Sequence, residues 1–110
     1  MMLRIYELAL LLVKSVCRLA KIVEQHDKDL ARQMRRAVVS VPLNMQEGLY
    51  SRAGNRVARF HDSMGSAKET MACLQVCVAA DYLAQRQVDE DLARIDQIVA
   101  GLYRLCHVRQ

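Results

Sequence analysis

His61-Asp62-Ser63 brings together the three side chains of a hydrolytic triad, and Cys73 and Cys77 stand four residues apart, as two ligands on one helix face would. Consecutive helical residues point about 100° apart, so the triad letters do not converge on one substrate atom, and no glycine-flanked nucleophile elbow accompanies them. The cysteine pair lacks the CxxC spacing and the further Cys or His ligands of a zinc site. Buried apolar thiols are the expected state. Glycine-rich phosphate loops and HExxH are absent, and His26 and His107 fall in or near turns and termini, where solvation is expected. No catalytic residue, metal or cofactor is therefore expected, and the protein reads as a non-enzyme.

Arginine is more informative. Residues 32–59 hold six arginines and one acid, Glu47, a net +5 against +4 for all 110 residues, so the rest of the chain is slightly acidic. Hydrophobic residues make up 53% but aromatics only 5%, with one proline and four glycines. That composition suits an aliphatic core between helices and supplies few turns for an all-β fold. One domain over 1–110 is expected at this length.

Four helices follow from the spacing of apolar residues. The first, from Leu3 to about Val23, carries two adjacent stripes: Ile5, Leu8, Leu12, Leu19 and Ile22, and Ala9, Val13, Val16, Ala20 and Val23. Either Asp27 or Asp29 is placed to cap the second helix, which runs from about Asp29 to Tyr50 with Leu30, Met34, Ala37, Val41 and Met45 inward. The stripe keeps its phase across Pro42, so one helix kinked at Pro42 is expected, with the carbonyl of Val38 losing its donor. Ser40 is a candidate to bond a freed carbonyl, and Gly48 falls in the last turn.

Ser51 to Asn55 reads as a loop, with Asn55 or Ser51 capping a third helix whose stripe is Val57, Phe60, Met64, Ala67, Met71, Leu74 and Val78. Gln85-Arg86-Gln87 reads as the next turn. In the fourth helix Val88, Leu92, Ile95, Val99, Leu102 and Cys106 face inward, with Asp89, Glu90 and Asp91 in its first turn, where they suit the helix dipole. Four helices of about 20 residues joined by short connections predict an antiparallel up-down-up-down four-helix bundle.

That topology sorts charge. Arg4, Arg52, Arg56, Arg59, Arg104 and Arg109 gather at one end as a candidate nucleic-acid-binding pole for DNA or RNA backbone. Glu24, Asp27, Asp29, Asp81, Asp89, Glu90 and Asp91 gather at the other. Arg35 and Arg36 lie far from the basic end, and at least one of them is expected to meet an acid on another helix or subunit. The paired stripes on helix one, and on helix three the further apolar residues Cys73, Cys77 and Ala80 beside its stripe, expose more apolar surface than a monomer covers, which predicts self-association. The short apolar run Leu8–Val13, flanked by Glu7 and Lys14, reads as neither signal peptide nor membrane span, so a cytoplasmic site with reduced thiols and no membrane contact is expected.

The middle of the chain, QMRRAVVSVPLNMQEG and then GSAKET, resembles the bacterial four-helix-bundle family of 23S rRNA intervening-sequence proteins. The motif falls on Gln33, Arg35, Arg36, Ala37, Ser40, Pro42, Asn44, Glu47 and Gly48, and then on Gly65, Ser66, Ala67, Glu69 and Thr70. The resemblance implies a bundle assembled as a ring of five. It also implies similarity to the accessory proteins of diversity-generating retroelements, which bind nucleic acid and a reverse transcriptase, so a partner enzyme of that kind is a further expectation. No catalytic activity is implied. The sequence departs from the family in the Ser51–Arg56 loop and at the polar His61-Asp62-Ser63, where an apolar run is usual. Two functional readings follow: a homo-oligomeric scaffold or adaptor contacting nucleic acid through the basic pole, or a protein-interaction module recruiting an enzyme without it.

Overall fold

The structure, a computed structural model, describes residues 2–107. Four helices make up the described chain, α1 (Met2–Val23), α2 (Lys28–Leu49), α3 (Ala53–Ala79) and α4 (Gln85–Cys106), and no strand occurs among these residues. Each helix packs against the next, and α1 also packs against α4. Particular pairs locate the seams: Ile5 meets Gly101, and Ser15 meets Asp91. Met34 meets Cys77, Val41 meets Ser63, and Val57 lies beside Cys106.

Helix ends follow local chemistry, and three of them differ from expectation. Asp27 is the cap of α2, its carboxylate accepting from the Leu30 N–H at 2.9 Å. The cap of α3 is Arg52 and involves no side-chain bond. Asn55 lies inside the helix, while Ser51 turns back to donate to the carbonyl of Glu47 at 2.7 Å, closing α2 instead of opening α3. The turn placed at Gln85–Gln87 in fact occupies residues 80–84. There Asp81 takes a positive φ of 64°, and the Tyr82 and Asp81 amides reach back to the carbonyls of Cys77 and Val78, a Schellman closure normally made by glycine. With α4 starting at Gln85, Gln87 accepts from the Ala84 amide at 2.8 Å and no acid stands in the first turn. Asp89, Glu90 and Asp91 lie beyond it.

The core is aliphatic. Both stripes of α1 merge into one buried face of Ile5, Ala9, Leu12, Val16, Leu19, Ala20 and Val23, leaving Leu10, Leu11 and Ile22 outside. The inward face of α3 is shifted from the expected stripe: Phe60, Met64, Ala67 and Leu74 are buried, but so are Ser63, Thr70, Cys73 and Cys77, while Val57 is exposed. On α4, Asp91, Ile98 and Gly101 are buried, and Leu92 and Val99 only partly so. Those α3 and α4 shifts follow from the seams, because each helix turns its axis of contact toward two neighbours.

Helix α2 passes through Pro42 without interruption, and Pro42 itself is buried. The hydroxyl of Ser40 donates to the carbonyl of Arg36 at 3.0 Å. That corrects the expectation that Ser40 serves the carbonyl Pro42 frees. A serine in a helix reaches one turn back, and Val38 is only two residues away. Asn44 donates to the carbonyl of Ser40 at 3.0 Å, and from α3 the buried Ser63 donates to that of Val41 at 2.8 Å. The polar residue that breaks the apolar run of α3 is thus a tie to the proline turn.

Six residues past Pro42, Gly48 lets α3 come close. A Cβ there would lie 2.6 Å from the Phe60 ring, whereas one at Gly65 would meet nothing within 4 Å. Gly48→Ala is therefore expected to lower stability by about 1–3 kcal/mol through overpacking, partly restored by Phe60→Leu. Gly65→Ala is expected to raise it by up to about 1 kcal/mol through helix propensity. Urea unfolding of the variants checks both signs.

Candidate functional site

The family-motif residues divide into two sets once the helices are assembled. One set holds the fold. Arg35 bonds Glu24 at 2.7 Å; the acid expected on another helix or subunit thus sits in the turn just past the end of α1. Glu47 pairs with Arg59 on α3 at 3.2 Å. Gly48 admits the Phe60 ring at the α2–α3 seam, Asn44 bonds the Ser40 carbonyl within α2 beside Pro42, and Thr70 donates to the carbonyl of Ser66 at 2.8 Å. Gly65 is exposed, and nothing in the structure explains a glycine there.

The other set lines a polar groove of about 460 Å³ between α2 and α3. Gln33, Arg36 and Ser40 face Ser66 and Glu69 across it, with Asp29 and Arg32 at one end. Arg32 and Asp29 pair loosely at 3.6 Å. The groove offers the guanidiniums of Arg32 and Arg36, the carboxylates of Asp29 and Glu69, and neutral polar groups on Gln33, Ser40 and Ser66, the equipment of a binding surface. His61 and Asp62 are exposed, while the Ser63 hydroxyl is bonded inside the core, so the three do not meet.

At the opposite end, the start of α1, the start of α3 and the end of α4 lie together, as the Ile5–Gly101 and Val57–Cys106 contacts require. Arg4, Arg52 and Arg56 are exposed there, and none forms an ion pair among the described residues. Arg56 stands 5.8 Å from the Phe60 ring centroid. Arg59 is different: it is shared between Glu47 and Asp62, so its charge is largely spent. Arg104 lies beside Lys68 in a groove between α3 and α4, and Arg109 lies outside the described residues. The acidic end is likewise less acidic than its residue types suggest, because Glu24, Asp29, Glu90 and Asp91 all hold arginines.

Asp91 is the residue that sequence reasoning misplaced most. It is 1% exposed. Its carboxylate accepts from Ser15 on α1 at 2.6 Å and from Arg94 at 2.8 Å, and Arg94 also pairs with Glu90. The signal was present: Val88, Asp91, Ile95, Ile98 and Leu102 alternate steps of three and four, and an acid inside such a stripe needs a buried partner.

Three of the thiols sit where burial disfavours the thiolate. Cys77 lies 3.6 Å from the sulfur of Met34. Burial, then Cys73 and Asp27, push its pKa up to about 11. Burial first and Glu69 second raise Cys73, and burial raises Cys106. Among the described residues no three His, Cys, Asp or Glu side chains group as a metal site.

Two expectations follow. Arg94→Met should cost about 3–5 kcal/mol, because it strands a buried carboxylate, whereas Arg59→Met should cost at most about 1 kcal/mol, as exposed pairs do; chemical denaturation separates them. The raised thiol contributes stability that is full below its ordinary value near 9 and is lost as pH rises through about 11. Urea midpoints should therefore fall across that window, and less steeply in Cys77→Ala.

A family model described as the 23S rRNA-intervening sequence protein matches residues 1–104. Among solved structures, the chain is similar to a protein of unknown function from the S23 ribosomal protein family of Bacteroides thetaiotaomicron VPI-5482. The TM-score is 0.87 over 94% of this chain and 99% of that one, at 18% identity. At that identity the likeness concerns the fold. No curated protein matches the chain. No described helix is long and apolar enough to cross a membrane. The motif, the four packed helices and the span of the match agree that the chain belongs to the 23S rRNA-intervening sequence protein family.

Proposed function

We propose that the protein is a non-enzymatic scaffold, an up-down-up-down bundle bent at Pro42 that assembles head to tail with copies of itself. The observation that carries this reading is an apolar groove of about 420 Å³ between α3 and α4, lined by Met71, Ile95, Val99, Ala100 and Tyr103 and edged by Lys68, Asp96 and Arg104. An apolar groove of this kind favours a macromolecular partner.

The same chain carries an occupant for it. Val39 and Leu43 on α2 are exposed, Leu43 by 59%, and they follow Arg35 at four-residue steps from the side that meets Glu24. Leu10 lies on the flank of α1 away from Ser15, hence away from α4. Because the packing order is α1, α2, α3, α4 and back to α1, the α1–α2 face lies across the bundle from the α3–α4 groove. A contact between opposite faces is heterologous, and such contacts close into rings when the rotation permits. Five copies is the number the family resemblance supplies.

A second reading, contact with a nucleic-acid backbone, is supported by Arg4, Arg52 and Arg56, which are exposed and form no ion pair among the described residues. Repeating that end around a ring would concentrate positive charge, and binding of this kind would be salt-dependent with little sequence preference.

Light scattering of the purified chain tests the scaffold. A mass several times 12.5 kDa is expected, falling to the monomer in either Tyr103→Asp or Leu43→Asp with helical content unchanged, because the two residues sit on opposite sides of one contact. A monomeric wild-type chain in dilute buffer would refute it.

A further inference from the structure

The seam between α1 and α4 carries charge of a kind that neither the basic pole nor the apolar groove accounts for. A groove of about 320 Å³ opens there, and Lys14 and Arg18 from α1 face Arg86 and Arg94 from α4 across it. Arg94 is fixed: one side of its guanidinium is held by the buried Asp91, which Ser15 also bonds, and the other by Glu90. The two acids in the groove are thus both engaged by one arginine. Lys14, Arg18 and Arg86 form no ion pair among the described residues, which leaves the groove two positive charges in excess.

We propose that this groove is a binding site for a small polyphosphate, the anion class carried by nucleoside di- and triphosphates. The size matches the lower end of small-molecule sites. Lys14 and Arg18 stand one turn apart, roughly 6 Å along the helix, so they address neighbouring phosphoryl groups rather than one. Arg86 approaches from the facing helix and offers a planar fork of donors. No aromatic side chain lines the groove, so nothing stacks a base, and the phosphates themselves are the recognised group. The site lies toward the end of the molecule where the sequence promised acids. Its cations escaped notice because they are scattered along two helices rather than clustered in one segment.

Isothermal titration of the whole chain with inorganic tripolyphosphate at low salt tests this. Arg18 and Arg86 are exposed, so Arg18→Glu with Arg86→Glu should leave the circular dichroism spectrum intact while weakening binding at least about tenfold. Arg52→Glu with Arg56→Glu, at the other end, should leave affinity within about twofold, and ADP and ATP should compete with tripolyphosphate about equally with GDP and GTP. No binding to the wild type, equal loss in both variants, or binding of a single-stranded oligonucleotide without binding of tripolyphosphate would each overturn the assignment. The groove is complete within one chain, so its failure leaves the light-scattering mass, and the scaffold reading, untouched.

Discussion

A proline in the middle of a buried helix is the constraint on which the molecule turns. Pro42 has no N–H to give the carbonyl of Val38, and its ring crowds that carbonyl from one turn away. The helix continues because its surroundings hold it. Asn44 reinforces the Ser40 carbonyl from within α2, and Ser63 reaches across from α3 to the Val41 carbonyl. Beyond the proline, Gly48 seats the Phe60 ring and Glu47 pairs with Arg59. Ahead of the proline, Gln33, Arg36 and Ser40 stand on one line facing Ser66 and Glu69 across the polar groove. A break at Pro42 would release the second half of α2, and with it the Gly48–Phe60 and Glu47–Arg59 contacts to α3.

Electrostatics tie the remaining seams and smooth the charge of the surface. Glu24 with Arg35 joins the end of α1 to α2, and the Ser15–Asp91–Arg94 cluster joins α1 to α4. These bonds consume acids at one end, just as Glu47 and Asp62 consume Arg59 at the other. The protein is therefore less dipolar than its charged residues suggest. What stands out is local: Arg4, Arg52 and Arg56, exposed and without an ion pair among the described residues, at one end, and a cationic groove along the α1–α4 seam.

The four helices were legible because their stripes run for five or more turns, and burial of Met34, Ala37, Val41 and Met45 on α2 follows the expected phase. Continuity through Pro42 was legible for the same reason: Met45 keeps the phase set by Met34. The turns were less so. Asp81 closes α3 in a conformation that sequences usually mark with glycine, and without that mark the turn was placed a few residues late. Ser63 stands out in the sequence only as a polar break in an apolar run, and Asp91 only as one of three acids near the start of α4. Each is buried for a reason that resides on a different helix, at Val41 and at Ser15, and spacing along one helix carries no such information. The polar groove was half legible: the motif named its residues, but only the α2–α3 register shows that Arg36 and Glu69 share a cleft while Arg35 and Glu47 serve elsewhere.

Continuity of α2 is the claim from which the Gly48–Phe60 seam and the exposed Val39–Leu43 stripe descend. Amide hydrogen exchange reads it residue by residue. Protection at Asn44, Met45 and Gln46 should match that at Met34 and Val38 in the first half of the helix, because all of them donate within one packed rod. Fast exchange at those three amides, beside a protected first half, would mean that the helix stops at Pro42 and would contradict the account.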